Sequence, residues 1–321
     1  MKHTILFFAI TILFLFSCKK EETVCEPEAN GAEIEMAIVQ FNTTNVATGF
    51  ETVFTGLESD STKMAQIAQA FVNPVRFLKD RSGYFFVENW NGWMLAHPIH
   101  AEWIGTNRFN IQDPTGKYYV RDMINTSKYS GYGIVEYVIK DPVDGVNRTK
   151  TGFVNAIPSM PGFVGSGLYL TGNQQYYAPM DAKKYMVEEL TRSMAEGLGG
   201  VLTGFCQDTL ERVDFCRRMI DHVRFFDDGS GYFFIYNLNC VNVAHGYQKE
   251  LEGQDLFNLQ DSHGTYIIRD FATLVKAQGS GFYQYWWPDP ATNTDEPKLA
   301  YLTTIPGTGY FIGAGFYLAQ Q

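Results

Sequence analysis

Three pairs of cationic or protonatable side chains in this chain stand at matching places 148 positions apart: His97 and His245, Arg121 and Arg269, Lys150 and Lys298. Four tyrosines keep the same offset, Tyr84 with Tyr232 and Tyr137 with Tyr285. Together these are the donors that make charge-assisted hydrogen bonds to an anion. Each also has a plainer role open to it. The histidines close a strand, where they serve as ligand donors or pH-sensitive gates, or else tie a hairpin to a backbone carbonyl. Each arginine is followed by an acid, Asp122 or Asp270, and is either a bidentate clamp for a carboxylate or the partner of a nearby acid. The lysines stand just before a strand, as ligand contacts or as solvated strand-edge residues. The tyrosine rings belong to a core whatever their hydroxyls do.

Catalytic constellations are thin. Gly165-Ser166-Gly167 is not the G-x-S-x-G of a nucleophile elbow, and Ser166 becomes Ala314 at the offset. His97 and His100 make HxxH, not HExxH, and Gln248 replaces His100 in the second copy. The acid-containing turns from Asp141 to Asp144 and from Asp289 to Glu296 do not follow a calcium-loop pattern and read as solvated loops. No enzyme activity, cofactor or metal is expected.

The offset is a property of the whole chain. SGYFFVENWNGWMLAHP at 82–98 returns as SGYFFIYNLNCVNVAHG at 230–246, and the match then runs to the end without a gap. Such self-similarity marks a duplicated domain. With 321 residues, the chain divides into a leader at 1–17, a tether at 18–31 and two modules at 32–174 and 175–321, each long enough to bury its own core. A hydrophobic content of 45% indicates a globular protein, and a net charge of −10 argues against nucleic acid as a partner.

The leader has Lys2 and His3, then an apolar run at 5–16 too short to span a bilayer. Leu15-Phe16-Ser17-Cys18 resembles a bacterial lipobox, which implies acylation of Cys18 and a lipid-tethered protein outside the cytoplasm, in a periplasmic or surface leaflet. Four cysteines remain. Cys206 and Cys216 lie ten apart in a helical segment, about 15 Å on an unbroken helix, too far for a disulfide. Cys216 and Cys240 could bridge helix to sheet.

These functional side chains need a scaffold, and the periodicity supplies one twice. Apolar residues recur at helical spacing through 34–78 and again from Met186 to Val223, with Gly49, Gly56 and Pro74 implying kinks or two helices. Residues 84–88 and 93–97 read as a hairpin. Asp-, Pro- and Gly-rich turns follow at 112–117 and 260–265, then short helices at 121–128 and 269–278 closed by Gly131 and Gly279. Strands complete each unit at 134–139, 151–157 and 163–170, and at 282–287, 299–305 and 311–318. Each module is thus α+β: a long helical segment, then about five antiparallel strands with a helical crossover.

The motifs SGYFFV, WMLAHP, GKYYVRDMI, GYGIVEY and FVGSGLYL, with SGYFFIY, VNVAHG, GTYIIRDF, GSGFYQYWWPDP and KLAYLTTIPGTGYFIGAGFYL in the second copy, resemble the Cache family in its single-Cache type 2 form. The likeness covers nearly all of the mature chain, and the second copy follows the pattern more closely, with Lys298 inside its K-L-x-Y motif. It implies an extracytoplasmic ligand-sensing fold of the kind found on chemoreceptors and sensor kinases, with small ligands that are often carboxylates. The expected function is a lipid-anchored binding protein for a small molecule, an organic acid by preference, that relays to a separate sensor kinase or chemoreceptor. The chain stops at Gln321, soon after the last strand, so output through another protein is expected. Alternatives are a substrate-capture lipoprotein serving a transporter and a structural module with no ligand. Ile139 against Trp287 and Pro98 against Gly246 are differences that imply two modules with different ligands, or one silent module.

Overall fold

A computed structural model describes residues 28–141, 144–169 and 175–318. The leader, Cys18, Cys25 and most of the tether lie outside the described residues.

The first module runs β1 (Ala29–Asn30), α1 (Gly31–Phe54), α2 (Ser61–Val72), β2 (Phe86–Asn89), β3 (Met94–Ala96), a 3₁₀ turn at Ala101–Trp103, α3 (Tyr119–Ser130), β4 (Tyr132–Lys140), β5 (Asn147–Ile157) and β6 (Gly162–Tyr169). The second repeats it: β7 (Tyr176–Tyr177), α4 (Pro179–Gly204), α5 (Thr209–Ile220), β8 (Phe233–Asn237), β9 (Asn242–His245), a 3₁₀ turn at Lys249–Leu251, α6 (Ile267–Gln278), β10 (Ser280–Pro288), β11 (Asp295–Thr304) and β12 (Tyr310–Tyr317). Local chemistry sets these limits. Asn30, Asp60 and Asp208 cap α1, α2 and α5 with side-chain oxygens that accept from Ala32, Lys63 and Glu211 N–H. Pro179 opens α4, where a missing N–H costs nothing. Gly131 and Gly279 close α3 and α6 at φ of 82° and 78°, a conformation that disfavours a side chain. Helix α1 runs unbroken through Gly49; the break expected in the helical segment falls at Gly56, at φ 90°.

Each module carries one antiparallel five-stranded sheet, ordered β3-β2-β6-β5-β4 and β9-β8-β12-β11-β10. Strand alternation gives each sheet two faces. On one, Phe85, Val87, Phe153, Val164 and Leu168 meet the long helices; on the other, Tyr84, Phe86, Met94, Tyr137 and Phe163 meet α3 and its loops.

The helices lie between the sheets and do not divide into two private cores. Helix α1 packs on its own β5 and β6 and on α4 and α5, while α4 packs on β11 and β12 and on α1 and α2. One continuous apolar cluster therefore contains helical and sheet residues of both modules, with a smaller cluster of each module on the far side of its sheet. This departs from the expectation of two self-contained cores. Each helical segment is apolar on too wide an arc for its own sheet to cover.

The contacts come in exchanged pairs. A Cβ on Gly49 of α1 would sit 2.6 Å from the Met219 carbonyl and sulfur in α5, and a Cβ on Gly197 of α4 would sit 2.3 Å from the Phe71 ring in α2. Gly49 and Gly197, like Phe71 and Met219, are equivalent positions. Residue i touching j while j touches i is the mark of a two-fold axis, here relating two halves of one chain. Strands β1 and β7 pair antiparallel across the same axis, joining the equivalent residues Ala29 and Tyr177.

Cys206, Cys216 and Cys240 are free and buried. The possible Cys216–Cys240 bridge is not formed: Cys216 lies in the shared cluster and Cys240 in the second module's outer one, with the sheet between.

The closest helix approach gives a stability prediction. A Cβ on Gly200 would lie 2.1 Å from the Ala70 carbonyl oxygen, whereas one on Gly204 meets nothing within 4 Å. Gly200→Ala should destabilise the protein by about 1–3 kcal/mol in urea unfolding, because backbone must move. Gly204→Ala should be neutral or slightly stabilising, as alanine normally is in a helix.

Candidate functional site

The outer face of each sheet is where the sequence-predicted donors gather. Lys150 on β5 stands directly opposite Tyr137 on β4 and Tyr169 on β6, so all three point to the same face. Lys298 repeats this between Tyr285 and Tyr317. Neither is the solvated strand-edge lysine that was one alternative: both are 0% exposed. The Lys150 ammonium lies 3.9 Å from the centre of the Tyr84 ring and 5.1 Å from that of Tyr169. Lys298 lies 3.8 Å from Tyr232 and 4.6 Å from Tyr317. Room for this comes from glycine. A Cβ on Gly167 would meet the Lys150 chain at 3.1 Å, and one on Gly165 would enter the Phe86 ring at 2.2 Å. The G-x-G of the closing strand is thus a floor over which a ring and a lysine stem lie flat.

The two copies then differ. Lys298 Nζ donates to the Tyr317 hydroxyl at 3.4 Å, which itself donates to the Pro288 carbonyl at 2.7 Å. Burial pushes the Lys298 ammonium well below the usual lysine range. Lys150 Nζ has no hydrogen-bond partner.

Both histidines are held the same way. His97 Nδ1 accepts from the Ile99 and His100 N–H groups at 3.2 and 3.0 Å, and His245 Nδ1 accepts from Tyr247 and Gln248 at 3.2 and 2.8 Å. The tie is therefore to backbone donors, not to a carbonyl. An accepting Nδ1 leaves the proton on Nε2, so each neutral ring keeps one N–H to offer. Burial, reinforced by His100, Lys150, Arg108 and Arg76, lowers the His97 pKa to about 3; burial with Lys298, Lys249 and Arg224 does the same at His245.

In the first module the outer face encloses a cavity of about 20 Å³, room for a water and little more. Tyr84, His97 and Tyr137 line it, beside Lys150. So do Glu88, Trp103, Arg108 and Tyr119, which sequence reasoning missed. Arg108 stacks 3.7 Å from the Trp103 ring centre and donates to the Tyr119 hydroxyl at 3.1 Å, while Tyr119 stacks on Tyr137 at 4.6 Å. Glu88 is 1% exposed, its Oε1 has no hydrogen-bond partner, and burial raises its pKa to about 8 against the pull of Arg108. In the second module Tyr236, Leu251, Leu256 and Ile267 replace Glu88, Trp103, Arg108 and Tyr119. With Tyr285, Phe271 and Trp287 most of them join one packed cluster around Tyr232. Two of the missed residues carried a signal: Glu88 and Arg108 are charged in one copy and uncharged in the other.

Arg121 and Arg269 stand apart from this cluster. Arg121 donates to the Phe109 carbonyl and Asn110 side chain and stacks 3.9 Å from Tyr118; Arg269 makes the matching contacts to Phe257, Asn258 and Tyr266. Their guanidinium groups hold the loop that precedes α3 and α6. The Asp113 carboxylate pins the next turn, accepting from Thr115, Lys117 and, across to β4, Val138. Asp261 does the same for Thr265, His263 and Trp286. Asp141, expected in a solvated loop, is instead 8% exposed and paired with Arg148. Among the described residues no group of His, Cys, Asp and Glu is placed to hold a metal ion.

Comparison with known proteins gives family matches to both halves. A family described as Single Cache domain 2 matches residues 40–180, and one described as Cache domain matches residues 216–320. The sensor histidine kinase MctS of Rhizobium johnstonii is 32% identical over 88 residues, which is 27% of this chain and 19% of that protein's length. The periplasmic sensor domain of a chemotaxis protein is 27% identical over 44% of this chain and 99% of that one, at a TM-score of 0.39. A structure titled for carboxylic acid recognition by a Cache chemosensory domain is 25% identical, with the same coverage and a TM-score of 0.38.

The histidines set a pH dependence whose sign follows from their lowered pKa. Between pH 6.5 and 3 the unfolded chain binds protons at these rings and the folded one does not, so stability is lost as the pH is lowered through that window. Each contributes up to about 1.4 kcal/mol per unit. Denaturation of the wild type and of His97→Asn and His245→Asn, which keep a side-chain acceptor, should show a shallower loss in each variant between pH 6 and 4.5.

Proposed function

The chain belongs to the Cache domain family, and from that premise we propose that it is an extracytoplasmic sensor that binds a small organic acid in its first module. One observation carries the proposal: Lys150 places an ammonium with no hydrogen-bond partner and no solvent exposure beside an aromatic cavity that also holds Arg108 and the neutral His97 ring. A buried charge without a partner is costly, and a carboxylate would supply both the missing charge and the missing acceptors. The ligand contacts are Lys150, Arg108 and His97, with Tyr84 and Tyr137 as walls. Their counterparts His245, Tyr232, Tyr285 and Lys298 form a structural copy. That second reading is favoured by the Lys298–Tyr317 bond and by Tyr236, Phe271 and Trp287, which occupy the corresponding space.

The cavity is too small for an organic acid as it stands, so binding requires the loop between β3 and α3 to move outward. Such a ligand acts by preferring the open arrangement over the closed one. The chain is tethered by lipid on Cys18 after removal of residues 1–17, with modules at 32–174 and 175–321, and it relays occupancy to a membrane kinase or chemoreceptor. Among the described residues no helix is long and apolar enough to cross a membrane.

Thermal melting against a panel of organic acids tests the proposal. A ligand at 100 times its dissociation constant should stabilise the protein by about 2.7 kcal/mol. Lys150→Met should remove that shift while leaving the unliganded protein as stable or more so, because an unpaired buried ammonium is gone. Lys298→Met should leave the shift in place. A shift retained in Lys150→Met, or no shift with any acid, would refute it.

A further inference from the structure

The loop at 76–83 leads into the first module's cavity, and it is held from the other half of the molecule. Glu189 of α4 accepts from the Leu78 N–H at 2.8 Å, the Tyr185 hydroxyl from the Lys79 N–H at 3.1 Å, and Glu196 from the Arg76 N–H at 3.0 Å. Glu196 also pairs with Arg81 at 3.0 Å, and Lys79 Nζ donates to the Tyr177 hydroxyl at 2.7 Å. Glu189 is 2% exposed, so its bond to Leu78 is made away from water, where losing it is costly. The fold itself does not call for these groups. In α1 the equivalents of Tyr185, Glu189 and Glu196 are Ala37, Phe41 and Thr48, and Gly229 stands for Arg81. Ala37 and Phe41 have no side-chain acceptor, and the Phe41 ring meets that of Phe226 at 6.2 Å. Yet the two loops share a shape: Leu78 and Phe226 are both left-handed, at φ 67° and 64°, and both loops close through a bridge, Phe77 to Gly83 and Phe225 to Gly231. Only the first is clasped by polar groups of the opposite helix.

A short path joins the clasp to the cavity. Besides giving its N–H to Glu196, Arg76 donates from its guanidinium to the Pro98 carbonyl at 3.1 Å. Pro98 follows His97, whose ring lines the cavity, and begins the loop between β3 and α3. At the other end of the clasped loop, Gly83 precedes Tyr84, the ring beside the Lys150 ammonium. Arg224 makes the matching bond to Gly246 at 2.6 Å, so the inner part of the path is common to both modules. The outer part, from loop to opposite helix, is built from these groups in the first module alone. We infer that Tyr185, Glu189 and Glu196 are positioning residues for the first module's cavity, through which α4 of the second half sets where the cavity wall stands. By linkage, a loop that opens at Pro98 biases α4 in return, so the packed module is coupled to a site that it does not form. This hold acts on the wall and is independent of which ligand enters.

Amide hydrogen exchange on the unliganded protein tests the inference. The reporters are the Ile99 and His100 N–H groups, which donate to His97 Nδ1, and their counterparts at Tyr247 and Gln248 in the second module. In Glu189→Ala combined with Glu196→Ala, the first pair should exchange about tenfold faster while the second pair stays near its wild-type rate. A global loss of stability would speed both pairs alike, so the contrast isolates positioning. Glu189→Gln with Glu196→Gln keeps an acceptor for each N–H and should restore the wild-type pattern. Phe41→Ala, which empties the mirror-image contact, should produce no selective rise at Tyr247 and Gln248. Tyr185→Phe removes one acceptor and keeps the ring that stacks on Tyr177, so it should give a smaller rise confined to the first pair, even where the double alanine variant fails to fold. Wild-type rates at Ile99 and His100, equal acceleration of both pairs, or no rescue by the glutamine variants would overturn the inference.

Discussion

Each sheet in this protein has one face already committed. The long helices lie between two sheets and must satisfy both, so the inward residues of eight sheet strands and four helices form one apolar cluster. Interiors packed to crystalline density tolerate little change in volume, and the glycine contacts at Gly49, Gly197 and Gly200 leave no slack between the helices. The inward faces keep their apolar character through exchanges such as Phe50 for Leu198, Ile67 for Phe215 and Leu168 for Phe316. The outward faces change in charge and size, where Glu88, Arg108 and Ile139 face Tyr236, Leu256 and Trp287 across the repeat. The same constraint explains why both lysines are buried. A strand register that puts Tyr137 and Tyr169 on the outward face puts Lys150 there too, under loops that the Asp113 turn fastens down.

The architecture was legible because its signals are local or periodic. Helical spacing, the strand runs and the turns at Gly131 and Gly279 each act over a few residues, and the duplication showed every one of them twice. Two α+β modules with five antiparallel strands follow from that. The sharing of one core was not legible, since amphipathicity tells how much of a helix is apolar and not what covers it. Residues 34–78 and 186–223 present the same stripe whether their partner is a sheet or another helix.

The site was half legible, and the division is instructive. Matching residues between copies found Lys150, His97, Tyr84 and Tyr137, because the fold itself uses them: the histidine holds a turn and the lysine lies buried over a tyrosine ring in both modules. The same search selected Arg121 and Arg269, which are equally faithful to the repeat because they brace a loop. Identity between copies reports what the scaffold requires. Glu88 and Arg108 were passed over since they have no match, and their lack of a match is the property that sets one cavity apart. Lysine accessibility was misjudged for a related reason, since strand position does not reveal what loops lie above it.

The two-fold arrangement has a consequence for how such a molecule can evolve. When identical subunits pair through an isologous surface, every substitution is made twice and the pair stays symmetric. Here both halves are written in one chain, so a codon change in one leaves the other untouched. The partner half is also present at an effective concentration set by the connection between them, independent of how much protein the cell makes. One half can then specialise in recognition while the other drifts toward a filled, rigid counterpart whose task is to hold the shared helices in place. Duplication in this way opens a route from a stoichiometry of two to a division of labour.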